Sequence, residues 1–306
     1  MLIHSHAAAQ TPSRVMVLGA RGFVATRLIR MLGSEGIACR PVGSAEVDLT
    51  APAAAAELAG ILRPGDSVVV TSVLTPEHGR DRATFLKNVA MIDSLCGGLA
   101  LSRCAHVVYV SSDSVYDSRF TPVNEETPCE SNDLYALAHI VREKLLADTC
   151  QKAGLPLAIV RPSAIFGAGD THLSYGPNRF LRTARSEARI VLFGQGEEER
   201  DHVYIDDVAR VILECLLRGS SGAINAVSGT THTFQEVARK IASAIGTPVA
   251  IETMPRRVEI VHKRFDTAAL RQAFPEFVAT SLDRGIRETL AQLSGGESGF
   301  ATRGSA

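Results

Sequence analysis

The chain has 306 residues, a formal net charge of −1 and a hydrophobic fraction of 45%. This length allows one large domain or two modest ones with a full core. The balanced charge excludes nucleic-acid or membrane-surface binding driven by net charge alone. No apolar run approaches the about 20 residues of a membrane span, and the 6 cysteines lack metal-ligand spacing. We therefore expect a cytoplasmic protein with no metal site, no nucleic-acid partner and no membrane partner.

Both ends of the chain have compositions typical of disorder. Residues 1–13 lack the basic region and the long apolar run of a secretory signal, and residues 294–306 are rich in Gly and Ser. We expect a disordered leader over 1–13 and a disordered tail over 294–306.

A strand, a glycine turn and a helix follow the leader. The apolar run Arg14–Leu18 leads into the turn that starts at Gly19, and a helical pattern extends from Phe23 to about Gly33. Gly19 allows a tight turn, and Gly22 lets the backbone approach a pyrophosphate at the helix N-terminus. This pattern predicts a dinucleotide site that includes Gly19, Arg21, Gly22, Phe23 and Val24.

The end of the second predicted strand, Ile37 to Val42, bears on the choice of cofactor. An acidic residue usually stands there to bind the adenosine ribose, but this chain has Ser44. Arg21 and Ser44 could receive a 2′-phosphate instead, or Arg21 could be a solvated side chain. Asp48, next to Leu49, either faces the adenine or caps the following helix. The sequence predicts NAD or NADP and favours NADP.

Apolar strands alternate with helical patterns over the next hundred residues. Strands are predicted at Asp66–Val73, Ala105–Val110 and Leu157–Pro162, with helices at Phe85–Leu95 and Leu134–Ala153 between them. This alternation predicts an α/β fold with a doubly wound parallel sheet, whose ligands bind at the carboxyl ends of the strands.

A hydroxyl-rich segment, Ser111–Tyr116, follows the strand that ends at Val110. Tyr135 and His139 stand four residues apart, so they share one face of the predicted helix. A hydroxyl that faces a phenol and an imidazole is suited to proton transfer. The alternative is a surface serine cluster beside a half-buried tyrosine.

Five motifs in register suggest a known family. They are Gly19-x-x-Gly22-x-x-Ala25, Ser111-Ser112-x-x-Val115-Tyr116, Tyr135-x-x-x-His139, Arg161-Pro162 and Arg200-Asp201-His202-Val203-Tyr204. From about Arg14 to Leu293 the chain resembles the extended short-chain dehydrogenase/reductases, and within them the NAD(P)-dependent nucleotide-sugar epimerase/dehydratase branch. The resemblance implies a Rossmann domain with a smaller C-terminal α/β lobe that binds a nucleoside-diphosphate sugar.

The resemblance also implies roles for the central residues. Ser112 matches the hydroxyl that binds the reacting sugar oxygen, and Tyr135 matches the catalytic acid/base for hydride transfer at a sugar carbon, often C4. Asp113 lies where the 4,6-dehydratases carry an acid, but Ser114 replaces the glutamate beside it. This difference argues against dehydration and leaves epimerisation or keto-sugar reduction.

The chain departs from the family at His139, where the family has a lysine that holds the nicotinamide ribose and favours the tyrosinate. A free tyrosine has a pKa of about 10 and a free histidine of about 6.5. The positive charge that would favour the Tyr135 phenolate therefore depends on the protonation of His139. We expect activity to depend on pH between about 6 and 9. Arg142 shares the helical face and could supply charge, but we expect it to lie on the surface.

Two arginine positions resemble the diphosphate-binding residues of the family. Arg200 matches the first, and either Arg256 or Arg257 matches the second. The alternative for Arg200 is a structural ion pair with Asp201 or Asp206.

The expected division of the chain is approximate. Residues 14–170, with 203–228 returning, form the dinucleotide-binding domain, and 171–202 with 229–293 form the substrate-binding lobe. Asn178 is a candidate substrate contact at the start of that lobe, whereas Ala164 replaces an asparagine that is common in the family.

The sequence predicts an NAD(P)-dependent nucleotide-sugar epimerase first and a keto-sugar reductase second. A non-catalytic dinucleotide-binding regulator is the competing class, because the motif lysine is His139. The helices Phe85–Leu95 and Tyr135–Thr149 correspond to the pair through which family members dimerise, so we expect a homodimer.

Overall fold

The structure is a computed structural model that describes residues 2–170, 175–256 and 259–295. The strands are β1 (Ile3–His4), β2 (Arg14–Leu18), β3 (Cys39–Val42), β4 (Asp66–Val70), β5 (His106–Val110), β6 (Leu157–Pro162), β7 (Ala164–Phe166), β8 (Arg189–Phe193), β9 (Glu199–Tyr204), β10 (Ser220–Ala226), β11 (Thr231–Thr233) and β12 (Ala250–Met254). The helices are α1 (Phe23–Ser34), α2 (Ala54–Ile61), α3 (Arg82–Leu101), α4 (Leu134–Ala153), α5 (Pro177–Glu187), α6 (Ile205–Leu217), α7 (Phe234–Ile245), α8 (Ala268–Ala273) and α9 (Leu282–Gly295).

The main sheet has seven strands in the order β1-β10-β6-β5-β4-β2-β3, parallel except for β1. Strands β4 and β5 are buried along their whole length, as continuous apolar runs in a parallel sheet should be. Helices α1 and α6 contribute to the core on one face, and α2, α3 and α4 contribute to the core on the other. The prediction of a doubly wound α/β fold is confirmed.

The smaller lobe contains a three-stranded sheet, β11-β9-β7, and a two-stranded sheet, β12-β8. Its core joins α5, α7 and α9 to these strands through buried aromatic residues, including Phe166, Phe180 and Tyr204. Residues 163–166 follow β6 of the main sheet directly and enter β7 of the smaller lobe, so they connect the two.

The predicted leader differs in part from the structure. The leader over 1–13 is not wholly disordered, because Ile3 and His4 pair with Ser221 and Ser220 at the sheet edge. The His4 imidazole also contacts the Ser220 hydroxyl at 2.8 Å, and Leu2 is buried. Backbone pairing and burial of Leu2 thus order a segment whose composition indicates disorder. Val203, where the chain is predicted to return to the main domain, lies in β9 of the three-stranded sheet, and its side chain is buried in the core of the main sheet.

The predicted tail begins inside α9, which extends to Gly295. Residues 296–306, the rest of that prediction, lie outside the described residues, as does Arg257. Within the described ranges, no helix is long and apolar enough to cross a membrane. The same ranges contain no group of three or more His, Cys, Asp or Glu side chains placed to hold a metal ion.

Candidate functional site

The glycine turn stands at the carboxyl end of β2. Gly19 has a φ of +82°, and a Cβ there would lie 2.8 Å from the backbone nitrogen of Ser72, so only glycine fits. Gly22 is the N-cap of α1, and neither a side-chain cap nor an acidic residue occupies the first helical turn. The first amides of α1 therefore have no intrahelical acceptor and can bind an anion.

A cavity of about 320 Å³ opens beside this turn, and the candidate cofactor residues Gly19, Arg21, Gly22, Ser44, Asp48 and Leu49 line it. Arg21 donates a hydrogen bond to the Ser44 hydroxyl at 3.1 Å. The Asp48 carboxylate accepts hydrogen bonds from the Thr50 amide and hydroxyl, which lower the pKa of Asp48. Because α2 begins only at Ala54 with Ala53 as its N-cap, the alternative that Asp48 caps this helix is wrong.

A larger cavity of about 690 Å³ adjoins the first and shares Arg21 and Gly22 with it. It lies at the carboxyl ends of β5 and β6 and is closed on one side by the start of α5. The candidate residues Phe23, Val24, Ser112, Asp113, Tyr135, His139 and Asn178 line it. The structure therefore brings the cofactor candidates and the catalytic candidates into one continuous groove.

Ser112 is held in place by its neighbour Ser114. The Ser112 hydroxyl oxygen accepts hydrogen bonds from the Ser114 amide at 3.1 Å and from the Ser114 hydroxyl at 2.9 Å. With both contacts made as an acceptor, its own proton is available to donate into the groove, which Tyr135 also lines. Ser114, which replaces the dehydratase glutamate, thus orients Ser112.

Tyr135 and His139 lie side by side on α4, with ring centroids 4.8 Å apart in a T-shaped arrangement. Burial raises the pKa of Tyr135 well above its usual range, and Tyr109 and Asp113 add to this effect, while the nearby Ser112 hydroxyl opposes it. Burial, assisted by the Arg142 guanidinium, lowers the pKa of His139 to about 3. At neutral pH both side chains are therefore uncharged, which argues against the expected pH dependence through His139.

Arg142 is not at the surface, contrary to expectation, but completely buried. Its Nε donates to the Tyr109 hydroxyl at 3.0 Å, its Nη1 to the Asn88 carbonyl at 2.9 Å, and its Nη2 to the Ser72 carbonyl at 2.5 Å. The Tyr109 hydroxyl also contacts His139 Nδ1 at 2.7 Å. The Arg142 guanidinium thus lies beneath the site. It does not supply the positive charge that the lysine of the family would bring to Tyr135.

A second buried network anchors α4 below the serines. The Glu143 carboxylate accepts hydrogen bonds from the Ser111 hydroxyl at 2.6 Å and from Arg161 at 2.9 and 2.6 Å. Arg161 also contacts the Tyr116 hydroxyl at 3.0 Å. The arginine of the Arg161-Pro162 motif is therefore a structural residue that joins β6 to α4.

Lys263 is a site residue that the sequence analysis missed. Its Nζ donates to the Asp113 carbonyl at 2.7 Å and lies 3.2 Å from the Asp113 carboxylate. The two residues are 150 positions apart, and Lys263 belongs to no recognised motif. Asp113 is thus paired with a cation from the smaller lobe, which fixes the Ser112–Asp113 loop.

The two arginines proposed for the diphosphate lie together, but not on the cavity wall. Neither Arg200 nor Arg256 is among the described residues that line it. Arg200 pairs with one carboxylate oxygen of Glu198, and Arg256 contacts the other at 3.1 Å. Arg256 also contacts Glu197 at 2.9 Å. The alternative prediction is an ion pair of Arg200 with Asp201 or Asp206. Arg200 pairs with Glu198 instead, so neither predicted partner is right.

Asn178 lines the cavity, but both polar atoms of its side-chain amide are hydrogen-bonded to other protein groups. Its oxygen accepts from the Gly167 amide at 3.0 Å, and its nitrogen donates to Asp170 at 2.6 Å. Ala164 also lines the cavity, so the small residue leaves space where a larger polar side chain would stand.

The groove fits a nicotinamide dinucleotide on the evidence of its own atoms. Gly19 and the free α1 amides form a cradle for a pyrophosphate. Ser72 Oγ and His139 Nε2 are buried polar atoms without a protein hydrogen bond in the described chain, and both residues line the groove. Both atoms therefore have hydrogen-bonding capacity that the described chain leaves unused beside the groove.

A parallel doubly wound sheet with this glycine turn, beside a serine and a tyrosine in one groove, defines a Rossmann-type nicotinamide-dependent protein. A family model described as "NAD dependent epimerase/dehydratase family" matches residues 15–227. The chain belongs to this family.

Individual relatives are distant but cover almost the whole chain. The UDP-glucose 4-epimerase of Mycolicibacterium smegmatis is 23% identical over 90% of this chain and 97% of its own. The dTDP-4-dehydro-6-deoxy-D-allose reductase of Streptomyces bikiniensis is also 23% identical, over 90% and 94%. A GDP-L-fucose synthetase from Naegleria fowleri bound to NADP superposes with a TM-score of 0.84 at 19% identity, covering 96% of each chain. The family thus includes epimerases and reductases of nucleotide sugars.

Proposed function

We propose that the protein is an NADPH-dependent reductase of a keto group on a nucleoside-diphosphate sugar. In this proposal Tyr135 is the general acid, and Ser112 donates a hydrogen bond to the reacting oxygen. The sequence alone favours an epimerase, whereas the surroundings of Tyr135 support the reductase.

The observation that carries the proposal is that a buried histidine, and no cation, stands beside the Tyr135 phenol at the lysine position. The lysine position is held by His139, whose pKa is lowered to about 3 by burial and by Arg142. The largest influences on the pKa of Tyr135 are its burial, Tyr109 and Asp113, and all three raise it. Tyr135 is therefore a neutral phenol at neutral pH.

A neutral phenol is suited to the reductive direction. Epimerisation through a keto intermediate begins when a base removes a proton from a sugar hydroxyl, which requires the phenolate. Reduction begins from the phenol, which gives its proton to the carbonyl oxygen as hydride reaches the carbonyl carbon. The bound cofactor supplies that hydride. Ser112 stabilises the developing oxygen charge, and the Tyr135 phenolate then recovers a proton from solvent.

The choice of NADPH rests on the adenosine side of the groove. Arg21 and Ser44 are hydrogen-bonded to each other at the end of β3, and both line the cavity there. Asp48 is the acidic residue of this wall, and it is turned toward Thr50. An arginine with a hydroxyl, and no carboxylate at the strand end, supports binding of a 2′-phosphate.

The nucleoside-diphosphate part of the substrate is supported by the convergence of Arg200 and Arg256. Their guanidinium groups meet at one carboxylate, that of Glu198, so an anion between them is already accommodated. A diphosphate would compete with Glu198 for these groups. Asn178 would border the sugar, and Arg257 remains a candidate that lies outside the described residues.

The test is a time course by NMR on UDP-, dTDP- and GDP-linked 4-keto sugars and their alcohols, with NADPH absorbance followed in parallel. NADPH consumption that matches the appearance of a new alcohol supports the reductase. A new stereocentre without net NADPH consumption overturns it in favour of the epimerase. Ligand-induced shifts without conversion overturn both and support a non-catalytic binding protein.

We also propose a cytoplasmic homodimer that associates through α3 and α4. These helices pack against each other, and Leu86 and Leu101 on α3 are 46% and 71% exposed. Sedimentation equilibrium of the wild type and of Leu101→Glu tests this proposal, because a charge at the interface should shift the equilibrium toward the monomer.

A further inference from the structure

The buried hydroxyl of Tyr109 stands between two nitrogen-bearing side chains. It lies 2.7 Å from His139 Nδ1 and 3.0 Å from Arg142 Nε. Tyr109 and His139 are each 1% exposed and Arg142 is fully buried. Water therefore has little access to these atoms, and their hydrogen bonds must be satisfied among themselves.

The direction of each hydrogen bond follows from the donors available. Arginine has only donors, so the Tyr109 oxygen accepts from Arg142. The single Tyr109 proton must then go to His139 Nδ1, because a protonated Nδ1 would leave the Tyr109 hydroxyl proton buried without an acceptor. Since His139 is neutral, with its pKa lowered to about 3 by burial and by Arg142, its own proton is placed on Nε2.

We propose that Tyr109 and Arg142 are positioning residues that hold His139 as the neutral Nε2–H tautomer, so that Nε2–H donates to the nicotinamide ribose. The ribose as acceptor rests on the proposed function. Nε2 is a buried atom with no hydrogen-bond partner in the described chain, and His139 lines the cavity with Tyr135 and Ser112. The histidine thus keeps the donor role of the family lysine without its charge.

The arrangement also connects the cofactor groove to the core. Arg142 reaches the Ser72 carbonyl, and Ser72 adjoins Gly19 in the smaller cavity. Asn88, whose carbonyl accepts from Arg142, holds Leu74 through both amide atoms at 2.8 and 2.9 Å. Arg142 is therefore fixed from α3 and from the loop after β4, which fixes Tyr109 in turn.

The tautomer is measured directly by nitrogen NMR of protein labelled with ¹⁵N-histidine, at neutral pH without substrate. The expected wild-type spectrum shows an unprotonated Nδ1 and a protonated Nε2 for His139, assigned by its loss in His139→Gln. A protonated Nδ1 in the wild type overturns the inference, whether or not any variant folds. This readout is independent of turnover, so it can fail while keto-sugar reduction succeeds, or hold while no substrate is converted.

Tyr109→Phe removes the hydroxyl while keeping the ring. The NMR pattern of His139 should change, and NADPH affinity measured by fluorescence should fall about tenfold, the scale of one lost hydrogen bond. Tyr116→Phe is the matched control, since Tyr116 is a buried tyrosine bonded to Arg161 and Asn225 instead. Equal losses in both variants, or an unchanged His139 spectrum in Tyr109→Phe, overturn the positioning role.

Discussion

The imidazole of His139 stands edge-on to the phenol ring of Tyr135, 4.8 Å between ring centroids, yet brings no positive charge to it. The pKa of His139 is lowered to about 3 by burial and by Arg142, and the pKa of Tyr135 is raised by burial. We expect kcat for keto-sugar reduction to vary by less than about threefold between about pH 6 and 8.5, because neither group titrates in that window. A stopped-flow pH profile checks this, and a profile with an ionisation near the ordinary histidine pKa would contradict it.

Replacing Tyr135 with phenylalanine should lower kcat by at least about a hundredfold, the scale of a general acid. The affinity for NADPH should change little, because Tyr135→Phe leaves His139 and the glycine turn in place. Tyr175→Phe is a matched control on the same cavity wall, since its hydroxyl accepts a hydrogen bond from the Phe193 amide. Turnover close to the wild-type rate in Tyr135→Phe would remove Tyr135 from its role.

The substitution His139→Lys should place a positive charge beside the Tyr135 phenol and should also destabilise the fold. In His139→Lys an ammonium would be buried beside Arg142, and the Tyr109 hydroxyl would lose its acceptor. We expect the free energy of unfolding to fall by about 1–3 kcal/mol, and the rate of alcohol oxidation by NADP to become pH-dependent as the pKa of Tyr135 falls. His139→Gln, which stays neutral, should not produce this ionisation. Denaturant titration and initial rates measure the two effects.

Arg21 should discriminate between the two nicotinamide cofactors. We expect Arg21→Ala to weaken NADPH binding about tenfold or more, since a charge-assisted contact to the 2′-phosphate is lost, and to leave NADH binding unchanged. Arg30→Ala, at an exposed position on α1, the helix that follows the glycine turn, is the control. Equal effects on NADH and NADPH would show that Arg21 does not contact the 2′-phosphate.

Glu198 should limit the affinity for nucleoside diphosphates, because it holds Arg200 and Arg256 at the place proposed for the diphosphate. We expect Glu198→Gln to tighten binding of UDP, dTDP or GDP about fivefold, the scale of a partly exposed ion pair. Glu187→Gln, which disrupts a pair with Arg189 elsewhere, should have no effect. Calorimetry would contradict the proposal if Glu198→Gln weakened binding.

Buried neutral histidines should make the fold sensitive to mild acid. His139 and His202 have pKa values lowered to about 3 by burial, so the unfolded chain binds more protons below about pH 6.5. The free energy of unfolding should therefore decrease as the pH is lowered below about 6.5, by up to about 1.4 kcal/mol per pH unit for each histidine. His202→Leu should remove one contribution, and both nitrogens that it deletes lack partners in the described chain. Urea titrations between about pH 6.5 and 5, with exposed His78→Leu as control, measure the slope.

Local sequence patterns were sufficient to predict the strands and helices that carry the site residues. The alternation of apolar strands and helical patterns determined the doubly wound sheet, and the predicted bounds of α4 and β6 are those of the structure. The helical period places Tyr135 and His139 on one face wherever that helix packs. Ser112 follows β5 directly, so the parallel sheet delivers it to the same edge.

Only the tertiary structure decided the charge state and the partners of these residues. The pKa of His139 depends on burial and on Arg142, whose burial no local pattern indicates. Lys263 reaches Asp113 across 150 positions, and Glu198 gathers Arg200 and Arg256 from separate segments. The sequence by itself therefore determined that Ser112, Tyr135 and His139 meet in the groove, because helical period and the place of a residue directly after a strand are local properties. Which of those residues carry charge was decided by the fold, because desolvation and ion pairing depend on neighbours that are distant in the chain.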